Sequence, residues 1–414
     1  MINLNADVAI IGGGPAGLAA AISARKNKAK HVIILDRNSW LGGILPQCIH
    51  DGFGVEETGK SMTGTEYSEM YINNAKKQNI TFMKETMVLN LNKDREIIAV
   101  NKKGLHRIKA KSIVLAMGCR EKTRWNVMIP GDRPSGIYTA GVAQAFINLY
   151  NIMVGKNIVI LGSGDVGLIM ARRLKFEGAN VLGVVEILPY ASGLPRNVVQ
   201  CLDDYDIPLF LSHTVTYIKG KERLESVKIA QVDKKMNVVP GTEKELQCDT
   251  LLLSLGLIPE NELSKRIGID IDNATGGPIV NQFFETSMPG IFACGNCLQV
   301  YDTVDVLSLG AKNAGKHAAK NDLGNVNKIS NVYAGKGIHY VIPQRITKPG
   351  KVSFSLRVEK PQTASMMRVK ADGKEIFKKK LPWVNPANMV EFSFNVTNDI
   401  LYSEKKLEVA LDDS

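Results

Sequence analysis

The feature that most restricts how this chain can fold is a strand–turn–helix segment written twice. VAIIGGGPAGLAAA (8–21) and NIVILGSGDVGLIMARRL (157–174) each carry an apolar strand into Gly-x-Gly-x-x-Gly and then an apolar helix. In each copy a second strand, HVIILD or VLGVVE, ends on a carboxylate, so that Gly12 to Asp36 repeats as Gly162 to Glu186. The spacing has a chemical reason. Gly12 and Gly162 permit a tight turn from strand to helix, Gly14 and Gly164 let a pyrophosphate approach the backbone, and Gly17 and Gly167 let the helix lie close on the sheet. Pro15 and Ala16 in one copy, Asp165 and Val166 in the other, then occupy the first helical positions. There, unpaired N–H groups and the helix dipole favour an anion. Asp36 and Glu186 stand at the next strand end, in reach of ribose hydroxyls. The repetition implies an α/β chain with two Rossmann-like domains and two dinucleotide sites.

The rest of the sequence fits around this frame. After the first unit, residues 37–64, which include Arg37 and Gly43, are glycine-rich and lack periodicity, as a ligand-wrapping loop would be. A helix over 65–77 follows, then strands from about 80 to SIVLAMG (112–118), the last of which rejoins the first sheet. Residues 119–141 read as a crossover with turns at Pro130-Gly131 and Pro134-Ser135-Gly136. The second unit closes at TLLLSLG (250–256). TSMPGIFACGNC (286–297) and a helix over 305–320 lead into a tail of different texture. KVSFSLRV (351–358) and MVEFSFNV (389–396) alternate apolar and polar residues, and Asp372-Gly373 suits a two-residue hairpin turn. The expected domains are 1–118 with 285–330, 119–284, and a small antiparallel β module over 331–414 that folds separately and serves association.

With 414 residues, 44% hydrophobic and 22% charged, the chain has material for real cores. Its net charge of +11 comes without a nucleic-acid recognition module, so lysine-rich solvated faces around anionic cofactors are the reading adopted. Six cysteines without paired spacing point to a reducing, cytoplasmic setting, and no segment reaches the ~18 apolar residues of a spanning helix.

The paired fingerprints, Ala116-Met117-Gly118 and Leu255-Gly256 at corresponding strand ends, and TSMPGIFACGN together resemble the pyridine nucleotide–disulfide oxidoreductase superfamily over about residues 5–325. LGGILPQCIHDGFG, GCREKTR and RPSGIYTAGVAQ are similar to a narrower group. It holds NADH oxidases and the FAD/NAD subunits found beside glycerol-3-phosphate or amino-acid and opine dehydrogenase-type flavoproteins. The resemblance implies FAD on the first copy, held by Gly12, Gly14, Pro15, Ala16, Gly17, Asp36, Arg37, Gly43, Ala116 and Gly118. It implies NAD(H) on the second, held by Gly162, Gly164, Asp165, Val166, Gly167, Glu186 and Gly256. The family's late Gly-Asp becomes Gly295-Asn296, whose amide can still accept a ribityl hydroxyl. The helix starting near Asp305 would aim its N-terminus at the flavin pyrimidine edge, favouring the reduced form by about 1–2 kcal/mol.

Departures from the superfamily matter equally. Disulfide-reducing relatives carry a redox cysteine pair, either where this chain has Leu45 and His50 or where it has Thr139-Ala140-Gly141-Val142. Both pairs are absent, which argues against a dithiol relay. Cys48 and His50 are the candidates for a flavin-facing thiol and its neighbour, set against packing alone. Cys294 and Cys297 have the spacing of a metal knuckle but no second ligand pair, so no metal is expected. Glu186 favours NADH, since a carboxylate repels a 2′-phosphate and Ile187-Leu188-Pro189 supply no arginine; Arg172 and Arg173 read as a solvated helix face. The expected activity is an FAD-dependent NADH:acceptor oxidoreductase, with oxygen or a partner flavoprotein dehydrogenase as acceptor, in a homo- or hetero-oligomer. The alternative is an FAD/NAD subunit with little activity alone. A flavin monooxygenase is disfavoured because 119–141 lacks that family's His-containing fingerprint.

Overall fold

The computed structural model describes residues 1–320, 329–402 and 406–412. β1 (Ile2–Ile11), α1 (Pro15–Lys26) and β2 (Val32–Leu35) form the first unit of the repeat. They are followed by α2 (Gly64–Lys77), β3 (Thr81–Met83), β4 (Met87–Leu91), β5 (Glu96–Asn101) and β6 (Gly104–Leu115). Thr63 caps α2 in a reciprocal box with Glu66, which fixes where the long loop ends. The sheet order is β3-β2-β1-β6-β5-β4. β1 lies parallel between β2 and β6, with Ile10 opposite both Ile34 and Val114, so the apolar strand is buried on both faces.

The chain then builds a second body over 120–258. β7 (Ile137–Thr139), α3 (Ala140–Tyr150), β8 (Asn157–Leu161), α4 (Asp165–Phe176), β9 (Asn180–Val185) and β10 (Leu209–Phe210) precede an antiparallel meander. The meander is β11 (His213–Gly220), β12 (Leu224–Gln231) and β13 (Lys244–Gln247), and β14 (Thr250–Leu253) closes the body. The parallel sheet runs β10-β9-β8-β14-β7, the same plan as the first.

On its return the chain adds β15 (Ile291–Ala293) to β6 in parallel, and α5 (Val304–Lys320) packs along α1. The tail makes β16 (Ser330–Ala334), β17 (Ile338–Ile342), β18 (Arg345–Ile346), β19 (Gly350–Val358), β20 (Gln362–Ala371), β21 (Lys374–Val384), β22 (Val390–Val396) and β23 (Leu407–Asp412). They form two sheets, β18-β16-β23-β20-β21 and β17-β19-β22, around a core that includes Phe354, Leu356, Val369 and Leu411. Asp372 (φ 47°) and Gly373 (φ 82°) make the expected hairpin turn, both left-handed as a type I′ turn requires.

Two boundaries differ from the sequence reading. Residues 259–284 fall with the first body, which comprises 1–119 and 259–414, and not with the second domain. The reason is local. Ile267, Ile269 and Val280 bury in one core with Ile11, Leu115 and Ile291, and Asn261 Nδ2 donates to the carbonyls of Gly276 (2.9 Å) and Cys297 (2.7 Å). The tail is likewise not a detached module. Tyr340 and Ile342 sink into that same core, and Gln344 joins Val280 N (3.1 Å) to Asp272 (2.8 Å). Among the described residues no helix is long and apolar enough to cross a membrane.

Candidate dinucleotide sites

The first fingerprint folds into an open cradle. A Cβ on Gly12 (φ 109°) would stand 2.2 Å from Ala116 O, and one on Gly17 would stand 1.9 Å from Gly12 O. Both glycines are therefore required by the backbone itself. Gly14 is different. A Cβ there meets nothing nearer than Gly43 Cα at 3.7 Å, so two glycines face each other across the start of α1. No side chain caps that helix, and Pro15 leads it. This is a place where a phosphate can approach free N–H groups. Asp36, 8% exposed, accepts from Gly13 N (2.6 Å) and Asn38 N (2.8 Å), while Arg37 is exposed. The carboxylate thus holds the glycine turn.

The second fingerprint repeats this in detail. A Cβ on Gly162 (φ 99°) would lie 2.1 Å from Ser254 O, and one on Gly167 would lie 2.7 Å from Ser254 Cβ. Gly164 has only Ser254 Oγ near, at 3.3 Å. Glu186, 4% exposed, accepts from Ser163 N (2.9 Å) and Leu188 N (3.0 Å), the positions that correspond to Gly13 and Asn38. Two hydroxyls, Ser163 Oγ and Ser192 Oγ, also donate to it. The Asp165 carboxylate is turned to the loop that follows β9. Its Oδ1 accepts from Leu194 N (2.8 Å) and Asn197 Nδ2 (2.7 Å), which ties the following loop to α4, and Val166 packs on the hydrophobic core. Gly118 (φ 74°) and Gly256 (φ 89°) sit in open space after corresponding strands.

Between β15 and α5 the chain passes beside the first cradle. A Cβ on Gly295 (φ 71°) would touch Ala16 Cβ at 2.6 Å, so Gly295 brings the return segment against the start of α1. Asn296 Oδ1 accepts from Tyr301 N (3.1 Å) and Asn296 Nδ2 donates to Cys119 Sγ (3.6 Å). In the segment that leads into α5, Thr303 Oγ1 and Gln299 Oε1 are buried without a partner. Unpaired buried polar atoms beside a glycine cradle suit a ligand with polar ring edges and a pyrophosphate, as FAD has. The first turn of α5 also carries a buried acid that subtracts from the dipole's positive potential. Asp305 accepts from Gly54 N and Glu57 N, both at 3.1 Å. Glu57 in turn receives the hydroxyls of Tyr67 (2.8 Å) and Tyr71 (2.8 Å) and the Lys312 ammonium. Burial works against its charge, but those donors outweigh it and hold the carboxyl below its usual range. This network pins the glycine-rich loop to α2 and α5.

All six cysteines are thiols. Leu45 is core, and Thr139 precedes α3, so neither dithiol position is filled. Cys294 and Cys297 are fully buried. Burial raises both thiols, Cys297 to about 11, and no group of metal-binding side chains occurs among the described residues. Cys48 packs under the N-terminus of α2, with its Sγ 3.6 Å from Ile44 O. Its neighbour His50 sets its ring against Phe53, with centroids 5.1 Å apart. Burial pushes the Cys48 thiol up to about 12, which is the opposite of an activated nucleophile. Alkylation of Cys48 should therefore be slow and show no inflection below about pH 10. A thiolate titrating near neutrality would contradict this.

Sequence reasoning missed Ser163, Ser192 and Ser254, which hold the second turn, and the Glu57 network. A signal existed for Ser254, since it stands where Ala116 stands in the first copy. None existed for Glu57, whose partners lie 10 to 255 residues away.

A family model described as pyridine nucleotide-disulphide oxidoreductase matches residues 6–318. The chain belongs to this family. It is 29% identical over 338 residues to an NADH oxidase of Methanocaldococcus jannaschii, covering 76% of this chain and 69% of that protein. It is 26% identical over 313 residues to an NADH dehydrogenase of Bacillus subtilis, covering 74% of this chain but only 56% of that one. A thioredoxin reductase from T. acidophilum has the same fold, with a TM-score of 0.64 at 22% identity over 77% of this chain and 99% of that one. This family member is thus a pyridine nucleotide oxidoreductase of the two-domain α/β type with a C-terminal antiparallel β extension, and it lacks the redox dithiol.

Proposed function

We propose that the protein is an FAD-dependent NADH:acceptor oxidoreductase. The observation that carries this reading is the pair of matching phosphate cradles, of which the first continues into a segment with unpaired buried polar atoms that leads into a helix. In this reading Gly14, Gly43 and the start of α1 take the FAD pyrophosphate, and Asp36 takes its ribose. Gly295 keeps the return segment close, and Gln299 and Thr303 meet the polar edge of the ring. Gly164 and the start of α4 take the NADH pyrophosphate, and Glu186 the ribose. FAD held there would supply an acceptor for a hydride from NADH and a donor of electrons onward. The residues' part is to hold each dinucleotide by its pyrophosphate and ribose and to keep the glycine turns rigid. No thiol is needed, so Cys48→Ser should keep the rate of flavin reduction.

NADH should outperform NADPH, because Glu186 is a buried carboxylate whose hydrogen-bond donors are serine hydroxyls and backbone N–H groups. A preference of about tenfold or more, or ~1.4 kcal/mol, is expected in anaerobic reduction of the flavin at low nucleotide concentration. Glu186→Ala should narrow it, and equal rates in the wild type would remove the argument.

Oxygen is the simplest acceptor, and steady-state oxygen consumption by the isolated chain tests it. The second reading is an FAD/NAD subunit of a larger dehydrogenase. It is favoured by Trp125 and Met128, 76% and 74% exposed on the short helix Arg124–Val127 and its C-cap, which Arg124 staples through the carbonyls of Ile129, Gly131 and Asp132. A second flavoprotein recovered with the native protein, together with negligible oxygen turnover alone, would decide for that reading.

A further inference from the structure

We infer that the C-terminal β module is a wall of the flavin site, and that Arg357 is the positioning residue through which it acts. The inference rests on the FAD reading above. A dinucleotide lies across the strand ends where the order of a parallel sheet reverses. Here that crevice runs from β2 over β1 to β6 and β15, so the segment that leaves β15 borders the half of the ligand beyond its pyrophosphate. The contact of Gly295 with Ala16 fixes that segment against the cradle.

The tail holds this segment by three tethers. Arg357, from β19, donates through Nη2 to Val300 O (2.8 Å) and to the Asp302 carboxylate, through Nε to Tyr340 Oη (3.0 Å), and through Nη1 to Pro386 O (2.6 Å). The other oxygen of Asp302 takes Met389 N (2.5 Å), and Gln299 Nε2 reaches Ser355 Oγ (2.9 Å). The Arg357 and Asp302 side chains are each 14% exposed, so the pair is part-buried and largely shielded from water. Thr303 and the first turn of α5 follow Asp302 directly, and Gln299 and Thr303 carry the two unpaired buried atoms. The tether therefore sets where those atoms stand. It also neutralises one acid in a stretch that already holds Asp305.

Charge gives the test a sign that packing alone does not. Arg357→Gln removes one positive charge from beside Asp302 and should shift the flavin's midpoint potential downward, because the reduced flavin is the more negative form. Asp302→Asn leaves Arg357 cationic and should shift it upward. Arg345→Ala, which breaks the tail's ion pair with Asp270 away from this segment, should leave potential and visible circular dichroism unchanged. Affinity for FAD should weaken roughly tenfold in Arg357→Gln and recover in part in Arg357→Lys. Opposite shifts in the two charge variants support the inference. Shifts in the same direction, or none, overturn it. If Arg357→Gln yields no folded protein, Asp302→Asn carries the test alone, with an upward shift supporting the inference and an unmoved potential overturning it. A wild-type chain that binds no FAD fails earlier and overturns the FAD reading itself.

Discussion

Gly14→Val is expected to give a folded chain that holds no FAD. The backbone at Gly14 is extended (φ −74°, ψ −175°), a conformation any residue adopts, and a Cβ there has 3.7 Å to its nearest neighbour. The substitution therefore costs the fold little, yet it fills the space through which a pyrophosphate must reach the N–H groups at the start of α1. Losing two charge-assisted hydrogen bonds at about 1.5–3 kcal/mol each corresponds to a weakening beyond about 100-fold. Gly12 and Gly17 offer no such test, because a side chain at either collides with backbone at 2.2 and 1.9 Å and the β1–α1 turn itself would fail. The check is the flavin-to-protein ratio of purified Gly14→Val beside its far-ultraviolet circular dichroism. A fully loaded variant would show that the phosphate lies elsewhere.

Ending the chain after residue 330 should destabilise the first body severely. Tyr340 and Ile342 no longer cover the core beside Ile267, Val280 and Ile291, and Asp302 loses Arg357. Losing the burial of two large apolar side chains, at about 1.5–3 kcal/mol each, removes a large part of the ~5–15 kcal/mol that holds a domain. A fall in melting temperature of about 10 °C or more, or aggregation, is expected by calorimetry. A truncated chain that stays soluble and melts within a degree or two of the full one would restore the reading of the tail as a detached association module.

That reading illustrates what the sequence could and could not convey. Both fingerprints, the return of SIVLAMG to the first sheet, the tail's alternation and the Asp372-Gly373 turn were legible, because each is a local pattern with one low-energy geometry. The seat of the tail was not. Tyr340 and Ile342 sit on a strand buried on both faces, with Ile338 and Val341 in the tail's own core, and an apolar run of this kind says that the strand is covered but not by what. Arg357 is one cation among 52, and its partner Asp302 lies 55 residues earlier with no motif between them. Asp36 and Glu186 were legible as carboxylates at matching strand ends, but their acceptance from Gly13 N and Ser163 N depends on how the turn closes and shows only in three dimensions. Cys48 was legible as a residue type in the right loop, whereas its burial, which keeps the thiol protonated, comes from the α2 N-terminus packed over it.

The central claim is that the two copies hold two different dinucleotides, with electrons passing from one to the other. The direct measurement is anaerobic mixing of the FAD-loaded protein with NADH while the flavin's visible absorption is followed, in the wild type and in Gly164→Val. A Cβ at Gly164 stands 3.3 Å from Ser254 Oγ and 3.8 Å from Ser254 O, so only the serine hydroxyl must give way and the first cradle is untouched; that variant should fold and keep its FAD. The account predicts rapid bleaching in the wild type and, at the same NADH concentration, little or none in Gly164→Val. A wild-type flavin that NADH leaves oxidised, or a Gly164→Val flavin bleached as fast as the wild type's, would contradict it.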